Sequence, residues 1–110
     1  MSETPGSDNC RSRVELMIDR VIAASSTQAT VTVRCLSGPV RRGTRFNRLS
    51  GAPEQIDLTL AQIVVYQRRV AELDTGLTAL VTLKGEGVRH LKSGPVASRW
   101  QVIEGANPLP

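Results

Sequence analysis

Aromatic side chains are almost missing from this 110-residue chain: one Phe, one Tyr and one Trp amount to 3% of it. Any core must therefore be filled by Val, Ile and Leu, within a hydrophobic share of 40% that is ordinary for one globular domain. No apolar run approaches the ~20 residues needed to span a bilayer as a helix. The first residues also lack the basic and apolar regions of a secretory signal, so a cytoplasmic location is expected. The single histidine and two separated cysteines, Cys10 and Cys35, do not make a zinc site, and a reducing cytosol opposes a bridge between them. No metal or cofactor is expected.

Acidic residues are absent from Arg20 to Pro53, whereas Arg20, Arg34, Arg41, Arg42, Arg45 and Arg48 all fall in that stretch. The chain carries a net charge of +4, and 12 of its 14 basic residues are arginine. A sustained helical period is missing too. What is present instead is a series of short apolar strands separated by Gly38, Gly43, Gly76, Gly85 and Gly94, where turns need positive φ or close backbone approach.

Residues 1–11 are polar and aperiodic, and a disordered leader is expected there. Val14, Leu16 and Ile18 alternate with polar neighbours, as in a half-buried strand, and the phase breaks at Arg20-Val21-Ile22, which predicts a bulge. After a polar turn, Thr30 to Cys35 forms a second strand with Val31, Val33 and Cys35 inward and Arg34 outward. Thr44 to Leu49 follows Gly43. Ile56, Leu58 and Leu60 alternate, and Ile63 and Val65 resume in a shifted phase up to Tyr66. Beyond the Asp74-Thr75-Gly76 turn, Leu77, Ala79, Val81 and Leu83 share one side of a central strand that Gly85-Glu86-Gly87 breaks. Val88 and Leu91 fit one helical turn, and Val96, Trp100, Val102 and Ile103 supply a closing strand. Phe46 and Trp100 are expected in core or rim packing. The reading is all-β: a closed, six- to seven-stranded antiparallel β-barrel over residues 12–104, with a tail at 105–110.

Cys35, Gly38, Val40, Gly43 and Phe46, then Thr75-Gly76, Leu80 to Leu83, Lys84 and Gly85, and finally Ser93-Gly94-Pro95-Val96 form a glycine-spaced string. In this string the chain resembles domain 2 of translational GTPases, the β-barrel of elongation factor Tu and its relatives. The likeness covers most of the chain, with Val33 where the family carries glycine and Thr44 where it carries an acidic residue. No Gly-x-x-x-x-Gly-Lys-Ser/Thr phosphate loop accompanies it, so nucleotide binding in the family's manner is not expected, and the barrel is read as free-standing. The resemblance implies contact with the aminoacylated 3′ end of tRNA, or, as in the related barrel of the bacterial initiation factor, with initiator tRNA. It also aligns Glu72 with a glutamate that lies against the terminal adenosine.

Charge supplies the independent signal. Arg41, Arg42, Arg45 and Arg48 are expected around one hairpin, with Arg34 facing outward, and guanidinium groups offer bidentate donors to phosphate. Tyr66 is read first as a packing residue; the alternative, with Arg68 and Arg69 following it, is a stacking platform at the barrel mouth. These residues and Glu72 are the candidate nucleic-acid site. RNA, either tRNA or ribosomal, is one expected partner, and an acidic protein bound by the same arginines is the alternative. The protein is expected to act as a monomer. Catalysis has little support: His90 lies in a polar turn without a nucleophile beside it, and Glu72 and Asp74 fit turn and rim positions better than an acid/base pair.

Overall fold

The computed structural model describes residues 13–50, 55–94 and 99–108. The expected leader at 1–11, Cys10, Val96 and the last two residues lie outside them. Among the described residues nine strands appear in chain order: β1 (Arg13–Ala24), β2 (Gln28–Ser37), β3 (Val40–Arg41), β4 (Arg45–Leu49), β5 (Asp57–Val65), β6 (Arg68–Val70), β7 (Glu72–Leu73), β8 (Thr78–Glu86) and β9 (Val102–Ala106). The single helical element among the described residues is the 3-10 turn Val88–His90, where Val88 and Leu91 are buried as their spacing predicts.

Pairing runs β4-β9-β1-β2-β8-β5, and β4 pairs with β5 as well, so six antiparallel strands close into a ring. This is the closed all-β architecture expected from the sequence. Closure removes the open edges that would otherwise template aggregation. The last strand runs to Ala106, two residues past the boundary expected at 104.

The alternating apolar residues turn inward. Val14, Leu16 and Ile18 from β1 meet Val31, Val33 and Cys35 from β2 and Val81 and Leu83 from β8. Leu58, Leu60 and Ile63 of β5, Phe46 of β4 and Ile103 of β9 fill the rest. Each large apolar side chain among them contributes about 1.5–3 kcal/mol through burial. The two phase breaks are bulges: the β1–β2 register shifts between Ile18 and Arg20, and the β5–β8 register between Leu60 and Gln62.

The second bulge divides the labour of β5. Its first half, at Leu58 and Thr59, closes the ring against β4; its second half, Ile63 to Val65, pairs with β6 as a hairpin. A separate two-stranded sheet joins β3 to β7. Thr44 is fully buried just after β3, its hydroxyl 2.6 Å from both the Arg41 carbonyl and Asn107 Oδ1, so its one proton serves either acceptor.

Three local expectations change. Leu77 is 47% exposed because it precedes β8, in the turn, instead of sharing the inner face with Ala79. Trp100, expected in the closing strand, precedes β9, and at 42% exposure it is no core residue, whereas Phe46 is fully buried. And β8 continues through Gly85 to Glu86, so Gly85 belongs to the strand it was expected to break.

Cys35 is a free, buried thiol. Burial pushes its pKa up, and nearby Asp74 adds to this against opposing hydrogen bonds from Thr75 and the Ser37 backbone. The folded state therefore favours the neutral thiol: this stability is intact below the unfolded-state pKa and is lost as pH rises through the higher folded value. In a Cys10→Ser variant, Cys35 should react with a thiol reagent at neutral pH only at the rate of unfolding. Cys35→Ala should flatten the loss of stability above about pH 9. Prompt labelling of the folded protein would contradict the buried position.

Candidate nucleic-acid interface

The strand alternation and the ring order separate the nine expected site residues into distinct places. The most distinctive is the β5–β6 hairpin. Its two-residue loop is Tyr66-Gln67, and both residues adopt positive φ, 51° and 67°. Two successive left-handed residues make the tight turn whose twist matches the flanking strands, a role that Asn-Gly fills far more easily. Each non-glycine residue held there costs about 1–2 kcal/mol. Tyr66 is 94% exposed, so no burial of its ring offsets that cost.

Directly after the turn, Arg68 and Arg69 are both exposed, and strand alternation sends them to opposite faces of β6. The base of the hairpin is joined to the β3–β4 connection: Arg42 N–H donates to the Ala71 carbonyl at 3.3 Å. Arg42 is exposed beside it, whereas Arg41 is half-buried and donates from Nη2 to the Pro108 carbonyl at 3.1 Å. Glu72 is the register partner of Arg41 across β3–β7. Tyr66, Arg68, Arg69 and Arg42 thus follow this sheet-edge hairpin, the β5–β6 finger, and its root, with Arg41 and Glu72 on the adjoining β3–β7 pair.

Arg45 and Arg48 lie elsewhere. The expected arginine hairpin does not form, because β3 pairs with β7 while β4 pairs with β9 and β5. A turn at Arg42-Gly43 separates two sheets instead of linking two paired strands. Arg45 and Arg48 face a groove of about 710 Å³ at the start of β5, lined also by Arg13, Asn47, Asp57 and Glu104. Arg45 Nη2 donates to both Asp57 carboxylate oxygens at 2.8 Å, and that partner pushes the arginine pKa still higher. Asp57 and Tyr66 are nine residues apart along one strand, which at 3.3 Å per residue separates groove and finger by about 30 Å.

Arg34 is exposed on β2, which stands opposite β4 in the six-strand ring. Leu36, two residues further along β2 on the same outward face, is 39% exposed. Arg13 and Asn47 are groove residues that no sequence pattern singles out. Asn47 faces outward because the β4–β9 register slips between Phe46 and Arg48, and a bulge inside five residues has no periodic signature.

Titratable groups also gather in a smaller recess of about 250 Å³ that includes Ser26, Glu86, Arg89 and His90. His90 contributes backbone bonds there: its N–H donates to the Gly87 carbonyl, and its own carbonyl accepts from Gln101 Nε2. Among the described residues, no three His, Cys, Asp or Glu side chains group to hold a metal ion, and no helix is long and apolar enough to cross a membrane.

The closed six-strand antiparallel ring has the fold of a translation-factor β domain. Among solved structures, the chain is similar to translation elongation factor SelB from Methanococcus maripaludis, in its apo form and in complex with the GTP analogue GppNHp. In both, the TM-score is 0.66 and the identity 15% over 84% of this chain. The chain spans only 19% of that factor's length, and at this identity the likeness is one of fold. No family model matches the chain, and no curated protein matches it.

Proposed function

We propose that this protein is a non-catalytic RNA-binding module, tRNA- or ribosome-associated, that uses the β5–β6 finger as its contact. The observation that carries this reading is Tyr66, almost fully exposed on a turn that disfavours it and followed closely by two arginines. An exposed aromatic ring offers a stacking platform worth about 1–3 kcal/mol per base, and flanking guanidiniums supply phosphate donors. The translation-factor fold supports the same direction. Arg45, already paired with Asp57, and the remote Arg34 are peripheral to this contact.

The test is a titration of labelled protein with a short tRNA acceptor hairpin ending in a single-stranded 3′ overhang, at low and near-physiological salt. Amide shifts should centre on Tyr66 to Arg69 and Arg42. Tyr66→Ala should weaken binding by roughly 5- to 100-fold, and three phosphate contacts should give a logarithmic salt slope near about −2. Shifts that disappear at physiological salt, or an affinity indifferent to Tyr66→Ala, would reduce the finger to generic electrostatics.

A second reading has its own observation. Leu36, 39% exposed, follows Arg34 by two residues on the outer face of β2, on the far side of the ring, and sets a small apolar patch beside a cation. Such a patch suits an acidic protein partner, and Leu36→Asp would abolish that binding while leaving RNA binding intact.

A further inference from the structure

The groove at the other end of β5 is built differently from the finger. Gly105 of β9 faces Phe46 of β4, and a Cβ at Gly105 would overlap the carbonyl oxygen of Arg45. The missing side chain therefore lets the two strands close. The adjoining β-bulge turns both Asn47 and Arg48 outward, breaking the alternation that would have buried one of them, as the exposure pattern of β4 records. Bulges of this kind re-aim side chains, and they concentrate beside functional sites.

Two guanidiniums on the rim are held in place. Arg13 Nη2 lies 3.0 Å from Glu104 Oε1, and Arg45 Nη2 contacts both oxygens of Asp57. Each ion pair engages only the Nη2 end. A guanidinium has five N–H donors in a fixed fork, so the Nε and Nη1 donors of both side chains remain outside these pairs. Exposed pairs like these add little stability. Their effect is to bias the rotamers of two long side chains before any ligand arrives, which lowers the ordering cost of binding. Three guanidiniums and two carboxamides then line the groove against two carboxylates, a net positive balance.

We infer that this groove is a second binding site, for a phosphate group, in which Arg48 and Asn47 supply the bulge-presented donors and Arg13 and Arg45 are preorganised by Glu104 and Asp57. The site shares no residue with the finger and lies about 30 Å from it along β5. Phosphate could arrive on a nucleic-acid backbone or on a small phosphorylated molecule, and the chemistry is the same.

Preorganisation and plain attraction make opposite forecasts for one variant. If the groove were only a cationic surface, Asp57→Asn would remove a negative charge and tighten phosphate binding. If Asp57 holds Arg45 in a binding geometry, the same change should weaken it about 3-fold. The experiment follows the arginine side-chain resonances of the full chain during titration with inorganic phosphate, a nucleoside monophosphate and a single-stranded RNA pentamer. Responses should concentrate at Arg13, Arg45 and Arg48, and Arg48→Gln should lower affinity about 5-fold or more. A pentamer that binds far more tightly than its monomer assigns the phosphate to a nucleic-acid backbone, and equal affinity assigns it to a small ligand. Both outcomes require the groove response and its weakening in Asp57→Asn. Tighter binding in that variant, or shifts spread evenly over every exposed arginine, overturns the inference. Tyr66→Ala leaves the groove response unchanged, so this result stands apart from that of the finger.

Discussion

Gly85→Ala should destabilise the protein by about 3 kcal/mol or more, a large share of the roughly 5–15 kcal/mol typical of a domain. Two costs combine. Gly85 adopts φ +141°, a region that L side chains rarely enter, and this alone costs about 1–2 kcal/mol. A Cβ there would also overlap the carbonyl oxygen of Asp57 and lie 3.1 Å from its carbonyl carbon. That collision is with backbone, which cannot rotate away, and forced expansion of a packed site costs about 1–3 kcal/mol. The comparison is Gly76→Ala: Gly76 has φ +91°, but a Cβ there would meet nothing within 4 Å. It should lose only the conformational part, about 1 kcal/mol. Denaturant midpoints of the two variants measure the difference. Equal losses would mean that β5 and β8 are not in close contact at Asp57.

The same substitution also reaches the groove. Asp57 begins β5, pairs with Glu86 beside Gly85, and holds Arg45 with its carboxylate. Displacing its backbone should disturb the arginine even in molecules that stay folded. One glycine in β8 thus connects ring closure to the placement of a guanidinium two strands away.

The ring is legible in the sequence because most of its strands are half-buried and alternate cleanly. Val14, Leu16 and Ile18 read as one face, and even the bulges announce themselves as phase shifts near Val21 and Ile63. Val88 and Leu91, at the 3-10 turn, are visible for the same reason: burial imposes spacing. Gly85 is not legible, because a glycine in sequence marks either a turn or a close approach. Its role depends on Asp57, in another strand, and no local pattern carries that information.

The site is less legible than the fold. Proximity in sequence puts Arg41, Arg42, Arg45 and Arg48 together, yet partner choice decides where they go: β3 takes β7 and β4 takes β9. The charge run survives as a run and is divided as a surface. Alternation correctly turns Arg34 outward, but it does not say which wall of a closed ring a strand forms. Tyr66, Arg68 and Arg69 are easier to place because a two-residue hairpin keeps sequence neighbours adjacent in space. What stays hidden is the backbone conformation of Tyr66 and Gln67, since neither residue type advertises a left-handed turn.

That conformation gives the second large effect. Replacing the loop with Asn-Gly, as Y66N/Q67G, should raise stability by about 1–2 kcal/mol, because both residues then occupy a turn that suits them. The same variant should lose at least about 10-fold in affinity for the single-stranded acceptor hairpin, through removal of the stacking ring. Opposite signs are the diagnostic result. A surface loop shaped only by folding would gain from the better turn and lose nothing, whereas a loop that keeps a costly conformation for contact must trade one property for the other. Thermal midpoints and RNA titrations on the same preparation measure both quantities. The single change Q67G, with Tyr66 retained, should keep the affinity and recover part of the stability. If Y66N/Q67G binds RNA as the parent does, Tyr66 is not the contact, and Arg68 and Arg69 would have to account for any binding by charge alone.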